Sequence, residues 1–229
     1  GKNFDSRAFG SFFSIGGPNV VLNTIVAESL DFIASQLEAA TKGGKDLNKA
    51  IQELLPPILK ESKKVVFNGD GYSEEWHKEA EKRGLPNLKS SVDAFPVLIR
   101  KDSVELFGKY KVLTERELQS RYFIYSEKYV KEVVIEAEMM VMMARTMILP
   151  AALRYQAEVA SAVNATKAAG IDNTAQLDHL KDLTGVLGKF QAATKALCEA
   201  THHHPDGDAF AHARYMKESV IPKMAELRT

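Results

Sequence analysis

The sequence predicts a mostly α protein: one short N-terminal β-strand, then a multi-helix bundle that includes a long Pro-kinked helix. Three observations carry this expectation. Apolar residues recur every three or four positions from Val20 almost to the last residue, the spacing of a buried helix face. Start and stop signals punctuate the pattern, among them Asp46, Ser73, Thr114 with Glu117, Gly43-Gly44 and Gly170. Only the first nine residues alternate with period two instead. Phe4, Ser6 and Ala8 fall on one side, and Asn3, Asp5, Arg7 and Phe9 on the other.

That opening stretch is the one place where a polar site is expected, because Asp5 and Arg7 share a strand face. A single short strand is unstable without partners, and few strands are foreseen later, so its partners are expected upstream of Gly1. Gly10 to Gly17 reads as a loop. Pro18 suits the first turn of a helix, where its missing N–H would be unpaired anyway. The helix then follows Val20, Val21, Ile25, Leu30, Ile33 and Leu37 to about Ala40.

Asp46 is the expected N-cap of a second helix, which Pro56-Pro57 should break or kink. Asn68-Gly69-Asp70-Gly71 reads as a tight turn packed by Tyr72 and Trp76. It lacks the 12-residue frame and closing Glu of a calcium loop and the Gly-Lys-Ser/Thr of a phosphate loop. Ser73 caps the next helix, with Glu74 and Glu75 in its first turn. Short helices are expected over 91–99 and 103–110. The capping box Thr114/Glu117 then opens a periodic run of roughly 50 residues, about 75 Å of helix at 1.5 Å per residue, with Pro150 as its kink. Asn173 or Thr174 starts a further helix with Leu177, Leu180, Leu183, Leu187, Phe190 and Leu197 on one face. A last helix begins at Phe210 and runs to Arg228.

Composition narrows the function. The 229 residues carry 30 basic and 30 acidic side chains. A zero balance supplies no field to steer nucleic acid or an anionic membrane. The single cysteine, Cys198, cannot form an internal disulfide, which fits a reducing, intracellular compartment. It sits in a helical stretch and reads as a structural thiol. The most apolar run, Met139 to Leu153, contains Arg145 and Pro150 and is shorter than the roughly 20 residues of a membrane span. No transmembrane or targeting segment is expected. His202-His203-His204 with Asp206 and Asp208 reads as a solvated loop, since consecutive residues do not converge on one metal ion.

At the level of motifs, Asn3 to Ser11 followed by Ser14-Ile15-Gly16-Gly17-Pro18-Asn19-Val20-Val21 resembles the late catalytic strand and following helix of glutamine synthetase, type III class. Val66 to Trp76, Glu79 to Lys89, Ser120-Arg121-Tyr122, Ile148-Leu149-Pro150-Ala151, Val163-Asn164-Ala165 and Pro222 to Arg228 are similar to the C-terminal region of that class. The resemblance runs in order along nearly the whole chain. It implies residues 1–67 as a remnant of the catalytic domain and 68–229 as the class-specific helical region.

The resemblance further implies ATP and two or three Mg2+ or Mn2+ ions, which support phosphorylation of glutamate and its displacement by ammonia. It places most catalytic groups in a sheet before Gly1. Asp5 stands where the family has a metal-binding Glu, and Arg7 where it has an arginine that contacts phosphate or glutamate. Asn3 replaces a basic residue. Asp for Glu shortens the carboxylate reach by roughly 1.5 Å, although an aspartate oxygen still suits magnesium. Phe12 and Phe13 replace small or polar residues. Two functions are therefore expected: the C-terminal part of a type III glutamine synthetase, not competent alone, or a noncatalytic structural or assembly subunit derived from it. Either way a homo-oligomer or larger assembly is expected through the N-terminal stretch, where Phe4, Phe9, Phe12 and Phe13 would otherwise expose apolar surface.

Overall fold

A computed structural model describes residues 14–229, which fall into two compact units meeting between Gln119 and Ser120. Every regular element among the described residues is helical. This corrects the expected fold class to all-α: no strand is present among the described residues, and none offers a ladder partner. The expected strand, with Asn3, Asp5, Arg7 and the four phenylalanines, lies outside the described residues.

The first unit opens with α1 (Gly16–Lys42). It starts two residues before Pro18, which leaves the proline within the first turn where no intrahelical donor is needed. α2 (Leu47–Ser62) is capped as its sequence requires, the Asp46 carboxylate accepting from the Lys49 N–H at 3.2 Å. Pro56 and Pro57 do not break it. The carbonyls they leave without a helical donor belong to Gln52 and Glu53, both on the exposed side of α2. α3 (Glu74–Lys82) ends at Gly84, whose φ of 71° permits the left-handed turn that lets Leu85 N–H reach Ala80 O. α4 (Ser91–Ala94), a 3₁₀ segment (Phe95–Ile99) and α5 (Lys101–Lys109) follow.

The second unit is a bundle of three long rods. Thr114 and Glu117 form the expected capping box before α6 (Glu115–Met143), with Thr114 N–H donating to Glu117 Oε2 at 2.7 Å. α7 (Leu149–Ala168) continues the same rod, α8 (Thr174–His202) is the second, and α9 (Ala209–Tyr215) with α10 (Ile221–Arg228) makes the third. Pro150 leads the sequence reading to expect a kink there. Directly ahead of it the chain makes a π-helical turn, Ala144–Ile148, in which Leu149 N–H bonds five residues back to Ala144 O. The third rod repeats the device: Met216–Val220 is a π-turn and Pro222 follows.

The core of this unit joins Val133, Ala137 and Val141 of α6 to Leu197 and Ala200 of α8 and to Met216 and Val220 of the third rod. Leu197, Ala137 and Val220 are fully enclosed. Buried hydroxyls satisfy themselves locally: Ser126 donates to Tyr122 O at 2.8 Å, Thr194 to Phe190 O at 2.8 Å and Thr201 to Leu197 O at 2.8 Å. Truncating the central side chain, Leu197→Ala, is expected to cost about 2–5 kcal/mol. Urea unfolding of the 229-residue chain, followed by far-UV circular dichroism, measures it.

Candidate functional site

Three places among the described residues gather polar chemistry or unsatisfied apolar surface. The first is α1. It is long and apolar enough, by length and composition, to cross a membrane, and little of it is buried. The most apolar helix is therefore α1 and not the 139–153 run. Val26 and Leu30 are 55% and 63% exposed, and Val20, Ile25 and Phe32 are exposed as well. One polar group ties the helix down. The Asp31 carboxylate accepts from Tyr110 Oη at 2.8 Å and lies 3.0 Å from Lys109 Nζ, both at the end of α5. Lys109 also stands over the Tyr110 ring at 4.8 Å. Hydrogen bonding to Lys109 first, and then to Tyr110, holds the Asp31 carboxyl below the usual carboxylate range.

The second place is the connection between α2 and α3. Phe67 stacks on Trp76, with ring centroids 4.4 Å apart and planes at 22°. Arg83 lies over the other part of this group, 5.5 Å from the Trp76 centroid. Its Nη1 donates to Val66 O at 2.9 Å and Lys64 O at 3.2 Å, and its Nε to Glu79 at 2.7 Å. The Asn68–Gly71 turn is closed by Asp70, which accepts from Tyr72 N–H at 2.9 Å. This is a structural turn, as the sequence indicated, but its aromatic lid is Phe67 and not Tyr72, which is 67% exposed. Arg83 was missed. Its signal was available, since Glu79 stands four residues before it and Trp76 seven, on one helix face.

The third place is a cavity of about 340 Å3 between α6 and α8, lined by Glu138, Val141, Met142, Arg145, Cys198 and His202 among others. His202 Nδ1 lies 2.8 Å from Cys198 O and 3.8 Å from Cys198 Sγ. The nitrogen nearest the thiol donates to a carbonyl, so it is not free to act as a base for the thiol. The other histidines are dispersed. His203 packs against Tyr215 at 5.1 Å and His179 lies 3.4 Å from Tyr155 Oη. Among the described residues no three His, Cys, Asp or Glu side chains are placed to hold a metal ion. The sequence-derived candidates Asp5 and Arg7 lie outside the described residues, so no geometry joins them to any of these places.

Two outcomes follow from this geometry. A Cβ added at Gly69 would stand 2.6 Å from the Phe67 ring, so Gly69→Ala is expected to displace the ring from Trp76 at about 1–3 kcal/mol. Near-UV circular dichroism of Trp76, the only tryptophan, reads the displacement. Because the Asp31 carboxyl is depressed in the folded chain, its contribution is present above the ordinary carboxylate value of about 4 and is lost as pH falls below it. The melting temperature of Asp31→Asn is therefore expected to lie below that of the parent at pH 7 and to converge with it in acid.

Comparison with known proteins places the chain. The family described as "Glutamine synthetase C-terminal domain" matches residues 50–167, just over half of the sequence and running from α2 into α7. A "Type-3 glutamine synthetase" of Dictyostelium discoideum is 32% identical over 235 residues, covering all of this chain and 32% of the relative. A "Glutamine synthetase" of Butyrivibrio fibrisolvens is 34% identical over 189 residues, 81% of this chain and 27% of the relative. One from Bacteroides fragilis (strain YCH46) is 30% identical over 156 residues, 68% of this chain and 21% of the relative. The chain thus spans about a third or less of the length of these curated relatives. With a family match that runs through both compact units and similarity to a type-3 enzyme along its whole length, the chain belongs to the glutamine synthetase family, as its C-terminal domain.

Proposed function

We infer that these residues act as the C-terminal helical region of a type III glutamine synthetase, in support of the ATP-dependent joining of ammonia to glutamate, and do not catalyse it by themselves. The observation that carries this reading is the alignment of the entire chain with only 32% of a type-3 enzyme. The α1 surface supports it. A helix that exposes this many large apolar side chains calls for a covering partner, and the tie of Asp31 to α5 favours a covering of protein over one of lipid. In this reading 1–67 belongs with the catalytic domain and 68–229 is the helical region. The N-terminal stretch joins a larger assembly in a reducing, intracellular compartment.

ATP and Mg2+ or Mn2+ are implied by the family. The described side chains do not fit a metal site, so no step through a metal is assigned to them. Asp5 remains the candidate metal ligand and Arg7 the candidate contact to phosphate or glutamate, each completing a site built mainly by other residues. The second reading, a noncatalytic structural or assembly subunit, is favoured by Asp5 and Asn3 standing where the family has Glu and a basic residue.

The two readings separate by measurement. Residues 1–229 alone are expected to form no γ-glutamyl hydroxamate from glutamate, hydroxylamine and ATP with Mg2+ or Mn2+. Robust turnover overturns both readings. Intact mass of the native polypeptide then decides between them: a longer chain supports the enzyme, and a chain of just these residues supports the structural subunit.

A further inference from the structure

The cavity between α6 and α8 holds one acid and one base that no other described residue answers. Glu138 and Arg145 both line it. They are seven residues apart on one rod, about 10 Å along the axis. Both are exposed, and the ion pairs of this unit lie elsewhere. The other polar groups of the wall are already committed. Thr146 Oγ1 donates to Met142 O at 2.7 Å and Thr201 Oγ1 to Leu197 O at 2.8 Å. His202 Nδ1 lies 2.8 Å from Cys198 O. Between the two charges in sequence stand Val141, which is buried, and Met142, which also line the cavity. Arg145 belongs to the π-turn, a kind of irregularity that recurs at ligand sites.

We propose that this cavity binds a short linear zwitterion, an ω-amino acid whose ammonium and carboxylate stand at opposite ends of a methylene chain. Each end of the site selects one end of the ligand. The Arg145 guanidinium offers the carboxylate a planar fork of donors, and the Glu138 carboxylate accepts from the ammonium. Both bonds are charge-assisted and stronger than neutral ones. The wall between them selects against polarity. An amide lying along Val141 and Met142 would exchange water for a wall whose threonine hydroxyls are committed, and an unpaired polar group costs free energy. Methylenes lose nothing there and cover apolar surface. An α-amino acid carries both charges on one carbon and cannot answer both ends. At about 340 Å3 the cavity lies at the small end of the range for ligand sites, as a ligand of this class requires. The proposal is independent of α1 and of the glutamine synthetase reading.

Isothermal titration calorimetry of the 229-residue chain tests it, with the series 4-aminobutanoate to 8-aminooctanoate as probes and thermal melts as a check on folding. Affinity is expected to pass through a maximum within the series, because two fixed charges select a length. The best member is expected to bind about tenfold or more tightly than the carboxylate or the amine of the same chain length, each of which forgoes one charge-assisted bond. Glu138→Gln is expected to erase the advantage over the carboxylate, and Arg145→Gln the advantage over the amine. As a second measurement, in a chain carrying 13C-methyl methionine, the Met142 methyl signal, assigned through Met142→Leu, is expected to shift with the best probe, and that of Met224 on α10 to stay. Absence of binding by both measurements overturns the proposal. So does affinity that only rises with chain length, or variants that leave both advantages intact. Equal binding of triglycine, a zwitterion with amides in its middle, or shifts that spare Met142, overturns it as well.

Discussion

Two imide nitrogens constrain the second unit. An unbroken α-helical ladder would ask Pro150 to donate to Thr146 and Pro222 to Glu218, which neither ring nitrogen can do. Each rod answers with one π-turn placed directly ahead of its proline. The turns do more than avoid a clash. Ala144, Met216 and Val220 lie inside them and are buried, so the residues that absorb the irregularity also help to close the core. Had either helix broken at its proline, Leu197 and Ala200 on α8 would have lost a wall.

Much of this was legible in the sequence. The caps at Asp46, Ser73 and Thr114 form as read, because capping chemistry is local and needs nothing from distant residues. The three-rod bundle was readable for the same reason, since apolar spacing reports the buried face directly. Pro56-Pro57 and Pro150 were less readable. Whether a proline breaks a helix depends on its surroundings, an exposed helix side at Gln52 and Glu53 or a π-turn ahead of Pro150, and neither condition is written in the local sequence. Tyr72 and Phe67 were exchanged because both flank the turn, and only the closed backbone decides which ring meets Trp76.

The candidate site is a different matter. A strand with Asp5 and Arg7 on one face pointed to chemistry, yet the described residues assemble no metal site and pair no nucleophile with a base. What they present instead is exposed apolar surface, along α1 in the first unit and at Met139, Met142 and Met147 in the second.

The π-turns also bear on how such a region can change length over generations. Each turn holds the rod in a register that differs from a plain α-helix by one position. Removing a single residue from 144–148 would return the ladder to Pro150 and rotate everything beyond it by about 100°, turning the α7 face away from α8. The His203–Asp208 connection carries no such phase and has only to reach from one rod to the next. Gains and losses of residues should therefore collect in that connection, while the rods keep their length to the residue.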